Sequence, residues 1–285
     1  MPHILITGAN TGIGLATVDA LAARGDSVVM ANRSEERTRP ALDALRQRYP
    51  KADLRFLQID LADLASVRRA AAEFLAQGRP LDVLINNAGL AGAGGLTRDG
   101  VELTVGVNHL GPFLLTQLLL PTLRAAPQGR VVNVASEAHR SARNGIDWDA
   151  LTRPTPAGTR GSFGMYGVSK LMNILHAKEL ARRLTGTSVT TYALHPGVVA
   201  SDIWRKIPQP FRSFMKLFMI TNEKGARTSV YCATAPELAK TSGRYYDKSR
   251  EATPAPLADD PALAAQLFTW SEARIAQANV AQAGQ

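Results

Sequence analysis

The sequence predicts an α/β protein built on a doubly wound parallel sheet with helices on both faces. Two observations predict this class. Short apolar runs alternate in a regular order with longer segments of helical periodicity. The apolar runs also lack the polar alternation of half-exposed strands, which indicates strands buried on both faces. Because the 285 residues show neither a repeat nor a convincing boundary, we expect one domain spanning 1–285.

The elements follow one another regularly along the chain. Apolar runs predict strands at 3–7, 27–31, 54–59, 83–86, 131–135 and 189–194. Apolar residues three and four positions apart predict helices at 12–24, about 34–49, 64–76, 99–125 and 166–184. Ligands of such sheets bind beyond the carboxyl ends of the strands. The turns that follow the predicted strands are therefore the candidate site.

Three stretches interrupt this order. Residues 137–164 form a long polar connection. Residues 200–221 are rich in Trp, Phe and Met, and we expect them to form a lid whose alternative is a helix pair packed on the core. Residues 252–261 contain three prolines before a last helix, which Asp260 is expected to cap with Pro261 in its first turn.

Composition bounds the cellular setting. Cys232 is the only cysteine, so an intramolecular disulfide is impossible and a reducing, cytoplasmic compartment is expected. The longest apolar stretch, 110–123, is too short to cross a bilayer, and residues 1–7 already form a predicted strand. We therefore expect no transmembrane anchor or signal peptide. The Ala/Gln-rich tail at about 276–285 is a candidate for disorder.

The formal net charge of +9 raises the question of nucleic-acid binding. The basic residues are scattered, however, and no basic stripe is interleaved with aromatic residues. A solvated basic surface is the preferred interpretation, so we expect no nucleic-acid partner. No metal site is predicted.

A glycine-rich turn lies where the first predicted strand meets the first predicted helix. Glycines allow backbone amides to approach a pyrophosphate, and the helix N-terminus adds partial positive charge. The spacing is Gly-x-x-x-Gly-x-Gly rather than the commoner Gly-x-Gly-x-x-Gly, and a plain helix-start turn is the alternative. Its position favours a Rossmann-type nucleotide site. The predicted cofactor contacts are Gly8, Asn10, Thr11, Gly12, Ile13 and Gly14.

The end of the second predicted strand bears on cofactor choice. An acidic residue at this place holds the ribose 2′-hydroxyl of NAD(H) in many dinucleotide-binding proteins, but here Asn32 and Arg33 follow the strand. A guanidinium offers a charge-assisted fork to a phosphate. The sequence therefore favours NADP(H) over NAD(H), the alternative being that Arg33 is a solvated loop cation.

Two further turns supply weaker candidates for cofactor contact. Asp60 and Leu61 follow the third predicted strand, where they could hold the edge of an adenine. After the fourth predicted strand, the small residues of Asn87, Ala88 and Gly89 would let the backbone approach a ligand. Their order along the chain, more than either turn alone, supports a nucleotide site.

Tyr166 and Lys170 stand four residues apart and would share one helix face. A fixed cation lowers the pKa of a nearby phenol from about 10 towards the range useful for general acid/base work. As an isolated pattern the pair also occurs by chance in many helices, so other motifs must decide.

Six ordered motifs together resemble the short-chain dehydrogenase/reductase superfamily, and most closely its retinol-dehydrogenase-like branch. They are Thr-Gly-Ala-Asn-Thr-Gly-Ile-Gly at 7–14, Asn-Asn-Ala-Gly at 86–89, Val-Asn-His-Leu-Gly at 107–111, Asn-Val-Ala-Ser at 133–136, Tyr-x-x-x-Lys at 166–170 and His-Pro-Gly at 195–197. The resemblance implies that Ser136, Tyr166 and Lys170 are catalytic and that Asn108 is the fourth member. Asn108, beside a kink expected at 111–112, would fix a water that leads protons to Lys170.

The resemblance also implies contacts at the nicotinamide end of the cofactor. Tyr166 and Lys170 would face the ribose, Pro196, Gly197 and Val198 would lie against the nicotinamide, and Ser201 would approach the phosphates. Thirty positions separate Ser136 from Tyr166, where many superfamily members have about a dozen. The longer connection is a feature of the retinol-dehydrogenase-like branch.

The expected function is NADP(H)-dependent hydride transfer to or from a bulky hydrophobic aldehyde, ketone or alcohol, with Tyr166 as general acid/base. Two alternatives stay open: a nucleotide-binding sensor or scaffold, and a non-redox epimerase or dehydratase of the same superfamily. The resemblance further implies a homo-oligomer formed through the helices at 99–125 and 166–184.

Overall fold

A computed structural model of the protein describes residues 1–197 and 220–283. Its described strands form one eight-stranded sheet in the order β3-β2-β1-β4-β5-β6-β7-β8, parallel except for the last pair. The strands are β1 His3–Thr7, β2 Ser27–Asn32, β3 Leu54–Gln58, β4 Val83–Asn86, β5 Gly129–Val134, β6 Val189–His195, β7 Arg244–Asp247 and β8 Arg250–Glu251. The predicted fold class is confirmed.

Helices cover both faces of this sheet. They are α1 Gly12–Ala23, α2 Glu35–Arg48, α3 Leu64–Ala76, α4 Leu103–Ala125, α5 Arg160–Arg183, α6 Asn222–Thr234 and α7 Pro261–Ala283. One apolar cluster lies between the sheet and α3, α4, α5 and α7, and a second lies between the sheet and α1, α2 and α6. The two clusters meet only through the strands, as expected of a doubly wound sheet.

Two strands and one helix were absent from the sequence prediction. β7 has only four residues, and its two central side chains, Tyr245 and Tyr246, pack into opposite clusters. Helix α6 buries mainly small residues such as Gly225, Ala226 and Ser229. Neither pattern produces the strong apolar period on which sequence prediction depends.

Helix α5 begins earlier than predicted. It starts at Arg160 rather than 166, and the hydroxyl of Thr159 caps it by accepting from the Ser162 amide at 3.3 Å. The polar connection before it contains two short 3-10 turns, Glu137–Ser141 and Ala150–Thr152. The early start places almost two helical turns before Tyr166.

Helix α4, predicted at 99–125, begins at Leu103. Its 23 residues are long and apolar enough to cross a bilayer, which corrects the expectation that the apolar stretch 110–123 is too short. Of the most apolar 18-residue stretch of this helix, 72% is buried inside the protein, between the sheet and neighbouring helices. Core helices of globular proteins have this combination of length and burial.

The C-terminal region agrees with the predicted cap and corrects the predicted tail. Asp260 Oδ1 accepts hydrogen bonds from the amides of Ala262 at 2.8 Å and Leu263 at 3.1 Å, and Pro261 is the first residue of α7. The helix continues to Ala283, so residues 276–283 are helical rather than disordered. Alanine and glutamine favour helix, which accounts for the extension. Of the predicted lid at 200–221, residues 200–219 lie outside the described residues.

Candidate active site

The glycine-rich turn joins β1 to α1 with almost no space between its ends. Gly8 and Gly12 have φ angles of +67° and +60°, which side chains rarely adopt. A Cβ on Gly14 would lie 2.2 Å from the Gly8 carbonyl oxygen, so only glycine fits there. Thr11 is the N-cap residue of α1, and its side chain makes no capping bond. The turn therefore presents free backbone amides at a helix N-terminus, as an anion site requires.

Asn32 supports the glycine-rich turn through a side-chain hydrogen bond. Its Oδ1 accepts a 2.6 Å hydrogen bond from the amide of Ala9, and its Nδ2 is buried without a partner among the described residues. Arg33, the next residue, is exposed. In the part of the chain that the structure describes, its guanidinium makes no ion pair or side-chain hydrogen bond. Arg33 is thus the cation that this strand end offers to a ligand.

The turn after β3 is held by its own polar groups. The Asp60 carboxylate accepts from the Ala62 amide at 2.9 Å, and the Asp60 amide donates to Ser66 Oγ at 2.9 Å. Leu61 is buried, and its carbonyl oxygen would lie 2.5 Å from a Cβ on Gly111 of α4. Gly111 therefore allows α4 to pack closely against the turn after β3.

The turn after β4 holds the glycine-rich turn in place through hydrogen bonds and close packing. Asn87 Nδ2 donates to the carbonyl oxygens of Thr7 at 2.8 Å and Gly8 at 2.9 Å, and Ala88 packs directly against Gly8. A Cβ on Gly89 would lie 3.4 Å from Lys170 Nζ. This turn therefore connects the nucleotide end of the site to the catalytic candidates.

Ser136, Tyr166 and Lys170 are brought together as the sequence predicted. The Ser136 hydroxyl lies beside the Tyr166 phenol, close enough to lower its pKa. Lys170 Nζ lies 5.6 Å from the centroid of the Tyr166 ring and donates to the carbonyl oxygen of Val134 at 2.8 Å. Tyr166 is 7% exposed and Lys170 is 3% exposed. The phenol, the ammonium and the serine hydroxyl thus converge at the carboxyl end of β5.

Burial dominates the ionisation of these groups. It lowers the pKa of Lys170 to about 8. It also raises the pKa of Tyr166, and the neighbouring Ser136 hydroxyl opposes this rise only in part. The expected lowering of the Tyr166 pKa is therefore not met by the protein alone, because desolvation of the phenolate is the larger effect. The phenol is protonated at neutral pH and ready to donate.

Asn108 lies in a π-helical turn, Gly106–Leu110, inside α4. The helix irregularity predicted at Asn108 is therefore a π-helical turn, which ends directly before 111–112. Its Oδ1 accepts from the Leu90 amide at 2.7 Å, and its Nδ2 donates to Leu90 oxygen and Ser169 Oγ, both at 2.9 Å. Both N–H donors of the side chain are used and Oδ1 accepts one bond, so a water at Asn108 must donate either to the remaining lone pair of Oδ1 or to the backbone.

The turn after β6 completes the row of strand ends. Pro196 and Gly197 follow directly, and Gly197 has a φ of +91° with Ile220 packed against its α-carbon. Val198 and Ser201, the other two residues predicted here, lie outside the described residues.

Sequence reasoning missed a polar group behind Ser136. The sequence assigned no role to Glu137, His139 and Arg140. All three bond to the segment 245–255, which begins in β7 and ends shortly before helix α7. The available signal was a run of four polar residues in five directly after a buried strand.

The profile of the short chain dehydrogenase family matches residues 2–147. The chain belongs to the short-chain dehydrogenase/reductase family. Human dehydrogenase/reductase SDR family member 13 is 42% identical over 273 residues, which cover 94% of this chain and 71% of that protein. Human retinol dehydrogenase 13 is 39% identical over 278 residues, covering 94% and 82%. These similarities place the chain in the retinol-dehydrogenase-like branch of the family.

A solved structure has the same fold. An uncharacterized protein from Mycobacterium paratuberculosis superposes with a TM-score of 0.76 at 32% identity, over 96% of this chain and 93% of that chain. As a short-chain dehydrogenase/reductase, the protein is an NAD(P)-dependent oxidoreductase.

Proposed function

We propose that this short-chain dehydrogenase/reductase interconverts a bulky hydrophobic aldehyde or ketone and its alcohol, with NADP(H) as cofactor. The buried Tyr166 phenol, with the Ser136 hydroxyl beside it and Lys170 Nζ 5.6 Å from its ring centroid, carries the proposal. A serine hydroxyl and a protonated phenol that meet at one point can both donate to the oxygen of a carbonyl substrate.

The strand ends of the protein fit a dinucleotide. The cradle between Gly8 and Gly14 has no room for a side chain and presents backbone amides to a pyrophosphate. The exposed Arg33 is a phosphate ligand at the place where an acidic residue would repel a 2′-phosphate. The turn residues Asp60, Leu61, Asn87, Ala88 and Gly89 continue this row towards Lys170. The charge of Arg33 favours NADP(H) over NAD(H), because only NADP(H) carries a 2′-phosphate, whereas the amides of the cradle suit the pyrophosphate of either cofactor.

The reaction adds one hydride and one proton to a C=O group, or removes them from an alcohol. The bound cofactor supplies or accepts the hydride at the carbonyl carbon. Ser136 holds the substrate oxygen, and Tyr166 gives its phenolic proton to that oxygen, leaving a tyrosinate. In the reverse direction the tyrosinate takes the proton from the alcohol. A tyrosinate open to solvent would take its proton from water instead of from the alcohol. The low exposure of Tyr166, 7%, limits this.

Lys170 and Asn108 restore the proton on Tyr166. The ammonium of Lys170 stabilises the tyrosinate through its charge, and with a pKa lowered to about 8 it can also release a proton at mildly alkaline pH. Asn108, in its π-helical turn beside Gly89, provides a backbone group for a water on the path from Lys170 to solvent.

A hydrophobic substrate is supported by the residues around the phenol. Phe163 lies one helical turn before Tyr166 and packs over Gly92, where a Cβ would come within 2.8 Å of its ring. The segment 200–221, most of which lies outside the described residues, is rich in Trp, Phe and Met in its sequence. Relatives named as retinol dehydrogenases also support an apolar alcohol or aldehyde.

A substrate panel tests the proposal. Purified protein is incubated with NADPH and a set of aliphatic, aromatic and polyene aldehydes and ketones, and both NADPH oxidation and alcohol formation are measured. Tyr166→Phe is the matched control because it removes only the reacting hydroxyl. Binding of NADPH without turnover across the panel would indicate the sensor or scaffold alternative. Conversion without net NADPH consumption would indicate an epimerase or dehydratase.

A further inference from the structure

The main-chain oxygen of Ser136 accepts two hydrogen bonds from one residue. The His139 amide donates at 3.0 Å, and the His139 ring donates through Nδ1 at 2.6 Å. A carbonyl oxygen only accepts, so Nδ1 must carry the ring proton. Both lone pairs of this oxygen are thereby occupied, which fixes the plane of the peptide that follows Ser136.

The other ring nitrogen is held with the opposite polarity. The amide of Ala255 donates to His139 Nε2 at 2.9 Å, so this nitrogen must be unprotonated. The ring is 1% exposed and lies edge-on against Tyr245. Its two partners therefore select a single neutral tautomer, and burial favours the same state by lowering the pKa of His139.

Two further bonds join the same stretch to the segment 245–255. Glu137 accepts from the hydroxyl of Tyr245 at 3.0 Å, and Arg140 donates to the carbonyl oxygen of Thr253 at 2.8 Å. Arg140 also pairs with Glu137 at 2.6 Å. Glu137, His139 and Arg140 thus anchor the backbone on the C-terminal side of Ser136. Of these three residues, only His139 also bonds to Ser136.

The serine side chain is poised by this backbone. Ser136 caps the 3-10 turn Glu137–Ser141 by accepting from the Ala138 amide at 3.2 Å, and its hydroxyl lies beside the Tyr166 phenol. A rotation of the peptide after Ser136 would move this cap and with it the hydroxyl. We propose that His139 is the positioning residue for Ser136, and that its Nδ1–H donor holds the serine where the substrate oxygen must bind. This inference rests on the proposed function.

Two substitutions separate positioning from simple structural support. The side-chain nitrogen of Asn lies where histidine has Nδ1, so His139→Asn keeps a donor to Ser136 and loses the acceptor for Ala255. The side-chain oxygen of Gln reaches the place of Nε2, so His139→Gln keeps the acceptor for Ala255 and loses the donor to Ser136. Each variant preserves one of the two bonds.

We expect His139→Asn to retain most of the wild-type kcat, and His139→Gln to lose about 10- to 100-fold in kcat with a smaller change in NADPH affinity. If His139 served only to hold Ala255, the order of the kcat values would reverse: His139→Gln would be active and His139→Asn would be impaired. Equal kcat values for both variants, or that reversed order, overturn the inference. Melting temperature and NADPH titration are recorded beside kcat.

Long-range ¹H–¹⁵N NMR of the histidine rings gives a test that does not depend on turnover. We expect the His139 signal to show the Nδ1-protonated tautomer, and an Nε2-protonated signal overturns the inference. If the His139 variants do not fold, Ala255→Pro tests the same arrangement from the other side. Ala255 has a φ of −63°, which proline adopts, so the substitution removes only the N–H that donates to His139. It should weaken the tautomer preference and lower kcat several-fold; a changed tautomer with unchanged kcat overturns the positioning role. Inactivity of the wild-type protein on every carbonyl would instead remove the proposed function, and this role with it.

Discussion

Lys170 Nζ donates a 2.8 Å hydrogen bond to the main-chain oxygen of Val134, two residues before Ser136 on the same chain segment. The same oxygen accepts a second bond, at 3.2 Å, from the side-chain amide of Asn173. The Val134 carbonyl would therefore keep a partner if the lysine were removed. This arrangement lets the charge of Lys170 be tested without leaving a buried carbonyl unpaired.

Lys170→Met should lower kcat/KM about 100-fold or more, because the tyrosinate loses its stabilising cation. The melting temperature should change little. Steady-state kinetics and thermal unfolding check both expectations. Lys178→Met is the matched control, since Lys178 lies on the same helix and pairs with Asp259 outside the site. Similar losses in the two variants would contradict a specific role for Lys170.

Tyr166 should give the two reaction directions opposite pH dependences. Burial raises the pKa of the phenol, so the proton donor is present at neutral pH and carbonyl reduction should be fastest there. Alcohol oxidation needs the tyrosinate and should rise as the pH increases. Tyr166→Phe should lower both rates by about 10²- to 10⁴-fold while NADPH still binds. Oxidation rates that do not vary with pH would argue against tyrosine as the base.

Gly14→Ala should weaken cofactor binding and reduce stability. Its Cβ would lie 2.2 Å from the Gly8 carbonyl oxygen and 2.6 Å from Asn87 Nδ2, so the turn must shift. We expect a loss of about 1–3 kcal/mol in the free energy of unfolding and a higher Kd for NADPH, measured by denaturation and fluorescence titration. Gly161→Ala is the control, because its Cβ meets only Thr159 Oγ1 at 3.5 Å. A wild-type Kd in Gly14→Ala would show that the cradle does not bind the cofactor.

Arg33→Ala should raise the Kd for NADPH about 10-fold or more and leave the Kd for NADH almost unchanged, because only NADPH carries the 2′-phosphate. Calorimetric titration of both nucleotides measures the difference. Arg48→Ala removes an equal charge at the other end of α2, where Arg48 pairs with Asp19, and should affect neither Kd selectively. Equal affinity of the wild-type protein for the two nucleotides would refute the preference.

The protein should lose stability between pH 6.5 and 5. Burial lowers the pKa values of His109, His139, His176 and His195, and that of His176 reaches about 3. The unfolded chain binds these protons near pH 6.5 while the folded protein does not, so protonation favours unfolding as the pH falls.

Urea denaturation at pH 7.5, 6.5 and 5.5 measures this loss. Carboxylates with lowered pKa values, such as that of Glu179, contribute only at lower pH. His176→Gln should make the decrease shallower. A free energy of unfolding that stays constant over this range would contradict the prediction.

The sequence located most of the site because its signals are local. Buried parallel strands are continuous apolar runs, and the turns at their carboxyl ends carry glycines or polar residues at short spacing. Strand order then brings Gly8, Asn87, Ser136 and Pro196 to one edge of the sheet, whatever the details of packing. The helical spacing of Tyr166 and Lys170 likewise placed both on one face.

The sequence by itself determined strands β1 to β6, the turns that follow them and the residues in those turns. Only the tertiary structure decided how those residues are held: Asn32 beneath the Ala9 amide, Asn108 bound to Leu90, and His139 between Ser136 and Ala255. It also reversed the expected direction of the Tyr166 pKa shift, because desolvation depends on everything packed around the phenol. Periodicity and motif spacing are properties of neighbouring residues, whereas burial and hydrogen-bond partners 23 or 116 positions away exist only once the chain has folded.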